Sequence, residues 1–311
     1  MQWSLIAFLL STLVCIFIDL YLFAYVYDFF SEQTVRLWGR IGYSRWPVVL
    51  ATGITISLVY ILNSKQLPKT AVAVAFVALS VFAAVLAGSK GGIVSIAIIL
   101  FGFSIIMIKS SWKCIFAILL LTFSVFQMDT FQREVVERGF SAESIQGESI
   151  QARVVMIKTA WELSKVNASE DKQYLLFGGG LNKPEIAFEN VLSSLPKELL
   201  EDLKFDGRNW GFTDLHNSYL DQIFKNGLAF SLCYATLLMI LIIQGYQAAK
   251  ASNERFQYSS FMFLVTVFSY VVFNSFYSNF ADYAVYSQFY FLSFVLTLPI
   301  LLASSNKSSV Q

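Results

Sequence analysis

Long, continuous apolar stretches constrain the fold of this 311-residue chain more than any other feature. A helix that crosses the hydrocarbon core of a bilayer takes about 20 apolar residues. Eight stretches meet that requirement, near residues 4–27, 46–62, 71–88, 91–108, 112–128, 222–246, 257–277 and 285–303. Hydrophobic residues make up 56% of the sequence and charged residues 14%, a balance that a water-soluble surface does not accommodate. The sequence therefore predicts an all-α, multi-pass membrane protein with about eight transmembrane helices.

A long polar segment divides these stretches into two groups. Residues 1–128 are predicted to form an N-terminal transmembrane bundle of about five helices, residues 129–221 a loop, and residues 222–311 a C-terminal bundle of about three helices. Because structureless loops of more than about 15 residues are uncommon, the loop is expected to have a function of its own. The first apolar stretch has no Lys or Arg ahead of it and no small-residue cleavage site behind it, which predicts a retained helix.

The distribution of basic residues orients the predicted bundle, because cytoplasmic loops are enriched in Lys and Arg. Seven of them fall on one side: Lys65, Lys69, Lys109, Lys113, Lys250, Arg255 and Lys307. We therefore expect that side and both termini to face the cytoplasm, and the long polar loop to face outward. Arg36, Arg40 and Arg45 fall on the outer side as well. Three explanations are open for these arginines. They snorkel to the membrane interface or pair with acids such as Glu32. Alternatively, they bind an external anionic ligand, or the first helix has the opposite orientation.

A short turn, GSKGG at residues 88–92, interrupts an otherwise apolar region and predicts a tight helical hairpin with Lys90 at its outer tip. The next helix is expected to begin at Ser89, Lys90, Gly91 and Gly92. Unpaired backbone N–H groups, the positive end of the helix dipole and a cation would together favour an anion such as phosphate there. The alternative is a simple turn whose lysine anchors in lipid headgroups.

The polar loop contains a predicted amphipathic helix near residues 149–165. Arg153, Ile157 and Trp161 share one face at four-residue spacing, which is typical of a helix at the membrane interface. Arg153 would then point toward the bundle, where a guanidinium can hold a phosphate through two hydrogen bonds. The alternative is a snorkelling or salt-bridged arginine. A glycine triplet follows in LLFGGGLN, residues 175–182, and permits a sharp bend or a close approach to a ligand.

The only histidine, His216, stands at the entrance of a strongly apolar helix in the segment FTDLHNSYLDQIFKNG, residues 212–227. Four residues share a helical face with it and are expected to pack into the bundle: Tyr219, Leu220, Ile223 and Gly227. Imidazole titrates near pH 6.5, so it can take a proton from a sugar hydroxyl near neutral pH, and His216 is the candidate general base. The alternative is a helix cap or a hydrogen-bonding spacer.

Other classes of site find little support in the sequence. Cys15, Cys114 and Cys233 lie in three separate apolar stretches without metal-ligand or disulfide spacing, so the predicted site needs no metal. A net charge of +1 argues against nucleic-acid binding. Four loop acids could supply a glycosidase pair, although a solvated face explains them more simply: Glu201, Asp202, Asp206 and Asp214. Asp19 and Asn274 are polar groups at membrane depth, where such groups are often functional.

Four segments, taken in order, carry a resemblance to a known family: LAGSKGGIVSIAIILF, ARVVMIKTAWEL, LLFGGGLN and LHNSYLDQIFKNGLAFSL. Across about residues 36–246 the chain resembles the O-antigen ligase and O-antigen polymerase family of bacterial membrane glycosyltransferases. That family has a helix hairpin with a Ser-Arg-Gly-Gly tip. Its long periplasmic loop opens with an Arg and a Trp and reaches a Gly-x-Gly turn, and the following helix begins with His-Asn-x-x-Leu. This chain departs from it in having Lys90 at the hairpin tip and fewer predicted helices.

The resemblance implies an inner-membrane enzyme whose site faces the periplasm and transfers a glycan from undecaprenyl pyrophosphate. It implies that His216 deprotonates the acceptor hydroxyl and that Arg153 binds the pyrophosphate. GRIGY at residues 39–43 resembles an arginine-containing outer segment of the family, so Arg40 is expected to bind pyrophosphate too. Three further cations are expected to bind the pyrophosphate: Lys90, Arg36 and Arg45. The expected supporting residues are Ser89, Gly91, Gly92, Asn217 and Tyr219, and no cofactor is expected.

Several functions remain open at this point. A polymerase adds the glycan to another lipid-linked glycan and a ligase adds it to lipid A-core; the absence of a recognisable lipid A docking surface favours the polymerase. The expected partners are the lipid-linked glycan, membrane lipids and either a chain-length regulator or lipid A-core. A transporter of lipid-linked glycans would also need outward cations, but the two halves of the chain show no internal repeat. A non-catalytic scaffold of a polysaccharide assembly complex is the other alternative.

Overall fold

The structure is a computed structural model that describes residues 2–25, 46–63, 67–87, 89–108, 148–170, 173–178, 196–202, 204–205, 208–209, 217–251 and 254–275. The helices are α1 Gln2–Tyr25, α2 Trp46–Asn63, α3 Leu67–Ala87, α4 Lys90–Ile108, α5 Glu148–Glu170, α6 Tyr174–Phe177, α7 Lys197–Asp202, α8 Ser218–Ala251 and α9 Glu254–Asn274. Two short strands, β1 Lys204–Phe205 and β2 Arg208–Asn209, pair in antiparallel register, with Lys204 opposite Asn209. The predicted all-α class is confirmed for these residues, with this two-residue ladder as an addition.

Helices cover six of the eight apolar stretches, and the other two, residues 112–128 and 285–303, lie outside the described residues. Within the described part, Leu67–Ala87 and Ser218–Gln247 are long and apolar enough to cross a membrane by length and composition. Four further apolar helical segments there are shorter: Ile6–Leu22, Trp46–Leu62, Gly91–Met107 and Ser260–Asn274. The total of eight spans stays a prediction.

The chain forms two compact units. Among the described residues, the first unit contains α1 to α4, the part of α8 from Leu241 onward, and α9 as far as Phe273. The second unit contains α5 to α7, the β1–β2 ladder, α8 up to Ile240, and Asn274.

Helix α2 is the most deeply buried element of the first unit and packs against α3 and α4. All but one of residues 46–58 are buried. Thr52 and Thr55 lie on this buried helix, and their hydroxyls donate to the carbonyls of Val48 and Ala51, both at 2.9 Å. A hydroxyl that donates to the carbonyl of the preceding turn has its hydrogen bond within its own helix. The polar groups of α2 therefore do not prevent its burial on all sides.

Small residues bring α4 and α9 close together in the first unit. A β-carbon at Gly102 would lie 2.5 Å from Val265 Cγ2, so any larger residue here would require Val265 to move. Ser95 and Ser269 bond reciprocally: Ser269 Oγ donates to the Ser95 carbonyl at 3.0 Å, and Ser95 Oγ donates to the Ser269 carbonyl at 3.5 Å. Small residues and hydroxyl bonds of this kind are the usual contacts between helices in membranes.

In the second unit, α5 packs against α6 and β1. Helix α8 presents most of its large apolar side chains outward, and Leu232 is the most exposed of them, at 66%. Large exposed apolar surfaces are rare on soluble monomers and mark contact with a membrane or a partner. The apolar exterior of α8 sets the physical context for the polar groups at its start.

Candidate functional site

Four of the predicted site residues, Arg36, Arg40, Arg45 and His216, lie outside the described residues. Their roles stay predictions. The described part contains the remaining ones in three places: the start of α4, the face of α5 and the start of α8.

At the predicted hairpin tip, Ser89 caps α4. Its Oγ accepts a hydrogen bond from the Gly92 N–H at 3.3 Å, and its carbonyl accepts one from the Ile93 N–H at 2.9 Å. This is the bonding of an N-cap serine, which satisfies backbone donors left over at a helix start. Gly92 packs against α2, where a β-carbon would lie 2.3 Å from Pro47 Cβ. Ser89 and Gly92 thus have structural roles, and Gly91 beside them is buried. Anion binding at Lys90, the first residue of α4, stays a prediction.

On α5, Arg153 is half-buried, and its Nε atom is buried without a hydrogen-bond partner in the part of the chain that the structure describes. The buried face of the helix runs through Met156 and Ala160, three and seven residues further on. Ile157 and Trp161, which follow Arg153 at four-residue spacing in the same helix, are 36% and 56% exposed. Arg153 therefore lies at the edge of the buried face, with a guanidinium nitrogen that can still donate to a ligand.

Asn217 begins α8 directly after His216 in the sequence. Its Oδ1 accepts hydrogen bonds from the N–H groups of Tyr219 and Leu220, both at 3.1 Å, and its Nδ2 donates to the Ser275 carbonyl at 3.3 Å. An asparagine cap typically contributes about 1 kcal/mol. The predicted supporting residue Asn217 thus fixes where α8 starts, and half-buried Tyr219 lies in the first turn.

The first two turns of α8 carry a polar stripe that sequence reasoning missed. Its members are at most 3% exposed and stand at positions i, i+3, i+4 and i+7 of one helical face: Ser218, Asp221, Gln222 and Lys225. Lys225 Nζ lies 3.3 Å from Asp221 Oδ1. The predicted packing stripe is wrong at Ile223, which is 38% exposed. The helical spacing of the polar residues was the pattern that could have predicted this stripe, because polar groups of a membrane helix face the protein interior.

Within this stripe, Gln222 is the least satisfied residue. Both its Oε1 and its Nε2 are buried, and neither has a hydrogen-bond partner among the described residues. A buried polar group left without a partner costs about 1–3 kcal/mol. Gln222 therefore lowers the stability of the second unit unless another molecule takes up its amide.

The first glycine of the triplet docks onto a kink in α8. Gly227 interrupts the helix with φ 77° and ψ 174°, and Gly178 has φ 67° and ψ −175°. A β-carbon at Gly178 would lie 2.1 Å from the Lys225 carbonyl oxygen, and one at Gly227 would lie 2.3 Å from the Leu176 carbonyl oxygen. Backbone thus packs directly on backbone, in conformations that only glycine adopts readily. Of the triplet, Gly178 has the positive φ that favours glycine, and the other two glycines lie outside the described residues.

Tyr174 adds a side-chain contact to the same junction, because its hydroxyl donates to the Phe224 carbonyl at 3.2 Å. Burial raises the pKa of this phenol, and the polar side chain of Asn167 partly offsets the rise. A raised folded-state pKa means that the neutral phenol contributes fully to stability below the unfolded value of about 10. That contribution is lost as the pH rises through the folded-state pKa.

We expect the unfolding temperature of the wild-type protein in detergent to fall more steeply above about pH 10 than that of Tyr174→Phe. The phenylalanine variant lacks the ionising group, although it starts from a lower stability because the bond to Phe224 is absent. Thermal unfolding followed by circular dichroism across this pH range measures the difference. Tyr246→Phe, which removes the hydroxyl of an exposed tyrosine, is the control. Equal slopes for the wild type and Tyr174→Phe would contradict the burial of this phenol.

Other polar groups singled out in the sequence have different surroundings. Asn274 is buried and donates from its Nδ2 to the Tyr234 hydroxyl at 3.0 Å, so it has a partner within the second unit. Asp19 is buried in α1. Glu201 and Asp202 lie in α7, while Asp206 and Asp214 lie outside the described residues. In the described part of the chain, no three His, Cys, Asp or Glu side chains are grouped to hold a metal ion.

Comparison of the chain with protein-family models, curated proteins and solved structures found no match.

Proposed function

We propose that this chain is an inner-membrane glycosyltransferase of the polymerase type, which transfers an oligosaccharide from undecaprenyl pyrophosphate to a lipid-linked glycan acceptor. One observation carries the proposal beyond the ordered sequence motifs. Helix α8 has a buried polar stripe in its first two turns and an apolar, exposed surface along the rest. Polar and ionisable groups facing the interior of a membrane helix typically mark a substrate path. Here the stripe begins two residues after His216, the candidate base.

The proposed topology has eight spans, with cytoplasmic termini and with residues 129–221 on the periplasmic side. The described helices α1 to α4, α8 and α9 would supply six of these spans. In this arrangement Arg153, Arg40 and Lys90 all belong to outward segments, as do Arg36 and Arg45. Several cations on one side of the membrane suit a donor that carries a pyrophosphate.

The proposed reaction is a direct displacement at the anomeric carbon of the donor sugar. His216 takes the proton of the acceptor hydroxyl, and the acceptor oxygen forms a bond to the anomeric carbon with inversion. The bond between that carbon and the pyrophosphate oxygen breaks, and undecaprenyl pyrophosphate leaves with the bonding electrons. Charge develops on the leaving group, so cations placed around it lower the barrier, by about 3 kcal/mol for one well-placed contact.

A transfer assay in proteoliposomes tests this function and separates it from its alternatives. Purified protein receives undecaprenyl-pyrophosphate-linked oligosaccharide with and without lipid A-core. A ladder of lengthened lipid-linked chains without lipid A-core supports the polymerase, whereas product only with lipid A-core identifies a ligase. No product from folded protein would contradict the transferase proposal. Movement of intact lipid-linked glycan across the bilayer would then identify a transporter, and the absence of both activities a scaffold.

Arg153→Gln is expected to reduce kcat/KM for the donor about 100-fold, because it removes one cationic contact to the pyrophosphate. The KM for an acceptor with a non-cleavable lipid linkage should stay nearly constant, since that substrate does not release pyrophosphate. Lys158→Gln is the matched control, because it removes a positive charge from an exposed position of the same helix. Equal losses for donor and acceptor, or an equal loss in the control, would argue for a structural role of Arg153.

A further inference from the structure

We propose that the polar stripe of α8 is a binding subsite for the sugar of the acceptor glycan. In this subsite the Gln222 amide exchanges hydrogen bonds with sugar hydroxyl groups, and Ser218, Asp221 and Lys225 are its polar neighbours on the same helical face. The inference rests on the proposed transferase function, because it names the part of the acceptor that this helix would hold. It is independent of the arginines and the lysine that are proposed to bind the donor pyrophosphate.

The charge of the stripe favours an uncharged ligand. Asp221 and Lys225 carry opposite charges whose nearest atoms lie 3.3 Å apart, so their formal charges cancel. A pyrophosphate site needs an excess of cations, which the stripe does not offer. Its neutrality fits the glycan portion of the substrate rather than its leaving group.

The hydrogen-bonding groups of the stripe match the chemistry of a sugar. A carboxylate accepts hydrogen bonds, an ammonium donates them, and an amide and a hydroxyl do both. Each hydroxyl of a sugar also donates one bond and accepts others. A helical face that carries both donors and acceptors, with the Gln222 amide offering both, therefore suits a hydroxyl, whereas a surface of donors alone suits a phosphate.

Gln222 provides the observation that points to a ligand rather than to packing alone. Its amide is 1% exposed, and neither polar atom has a hydrogen-bond partner in the described part of the second unit. A leucine of similar size would fill the same space without the cost of burying an unpaired amide. The amide offers one acceptor and two donors to a bound hydroxyl, so binding the sugar would recover the lost hydrogen bonds.

The stripe begins two residues after the candidate base in the sequence. Asn217 caps α8 immediately before Ser218, and His216 precedes Asn217 in the sequence. At the other end, the docked Gly178 lies against the Lys225 carbonyl, and Gly227 breaks the helix two residues later. The stripe is therefore a defined segment of two helical turns. Its N-terminal end, Ser218, lies two residues after His216, the residue proposed to activate the acceptor.

The test uses Gln222→Leu and the matched control Gln247→Leu, which makes the same change at an exposed position of the same helix. The sugar probe is oligosaccharide released by mild acid from lipid-linked material of cells that express the protein, and the anion probe is inorganic pyrophosphate. Thermal unfolding of the full-length protein in detergent is measured alone and with each probe. Acceptor and donor KM values are measured in proteoliposomes.

We expect Gln222→Leu to unfold at the wild-type temperature or above it, because the unpaired amide is gone. We expect it to lose the stabilisation by free oligosaccharide and to keep that by pyrophosphate. Its acceptor KM should rise about tenfold, the effect of one lost hydrogen-bonding group, while its donor KM stays the same. Gln247→Leu should behave as the wild type in every measurement. If Gln222→Leu does not fold, Gln222→Met, which keeps an unbranched side chain, takes its place.

A folded variant at Gln222 that retains both the oligosaccharide effect and the wild-type acceptor KM would overturn the subsite. Different results would contradict the proposed transferase function and the proposed subsite. Wild-type protein that binds free oligosaccharide through Gln222 but transfers no glycan would contradict the transferase and leave the sugar subsite in place. Wild-type transfer with an acceptor KM independent of Gln222 would uphold the transferase and contradict the subsite.

Discussion

Replacing His216 by alanine is expected to reduce glycan transfer by about 10²- to 10⁴-fold, the usual contribution of a general base. A sugar hydroxyl is a weak nucleophile until its proton is removed, and this is the only imidazole in the chain. The variant should keep its fold, because the Asn217 side chain makes hydrogen bonds that start α8. Donor binding should likewise remain, since the pyrophosphate contacts are proposed to come from other residues.

The pH profile of transfer distinguishes a base from a spacer at this position. A protonated imidazole cannot accept a proton, so wild-type activity should fall as the pH is lowered into the range where the imidazole becomes protonated. The residual activity of His216→Ala should lack that fall. Transfer assays in proteoliposomes across this pH range, with protein shown to be folded by thermal unfolding, measure both effects. Nearly full activity of a folded His216→Ala protein would show that another group takes the proton.

Gly227→Ala is expected to destabilise the second unit by about 3 kcal/mol or more. The backbone at Gly227, with φ 77° and ψ 174°, lies in a region that is essentially restricted to glycine, and forcing another residue into it costs about 1–3 kcal/mol. The added β-carbon would also lie 2.3 Å from the Leu176 carbonyl oxygen, a backbone atom that cannot rotate away. The docked turn would therefore have to separate from α8.

Thermal unfolding and limited proteolysis between α6 and α8 measure this effect. Gly245→Ala is the comparison in the same helix, because its β-carbon would meet side-chain atoms of Phe263 and Leu264 rather than backbone, and Gly245 has no positive φ. Gly178→Ala should be about as damaging as Gly227→Ala. The double variant should cost less than the sum of the two, since both break one contact. If Gly227→Ala were no more harmful than Gly245→Ala, the backbone docking would be contradicted.

The helices that the sequence predicts best are those whose pattern is local. Helices α1 to α4, α8 and α9 coincide with long apolar runs, because a helix satisfies its backbone within the segment itself, whatever lies elsewhere in the chain. The pairing of Lys204 with Asn209 was not predicted. Two residues per strand give no alternating pattern, and strand formation depends on the neighbouring chain more than on local preference.

The candidate site was predicted less completely, for reasons that specific residues make clear. The apolar spacing along α8 predicts that Ile223 is buried, whereas the buried face carries Asp221 and Lys225. In a lipid environment the exposed face is the apolar one, so the polar spacing was the informative pattern. The docking of Gly178 on the kink at Gly227 joins positions 49 residues apart. A glycine signals that backbone can approach closely, but not which backbone does so.

The reciprocal hydroxyl bonds between Ser95 and Ser269 set an order for the biogenesis of the first unit. The two residues are separated by 174 positions, and Gly102 faces Val265 across the same interface. During synthesis, α4 leaves the ribosome long before α9. Until α9 has been made, the face of α4 that carries Ser95 and Gly102 contacts other helices, lipids or the insertion machinery. The contacts between α4 and α9 can therefore form only late in translation, after most of the chain has been made.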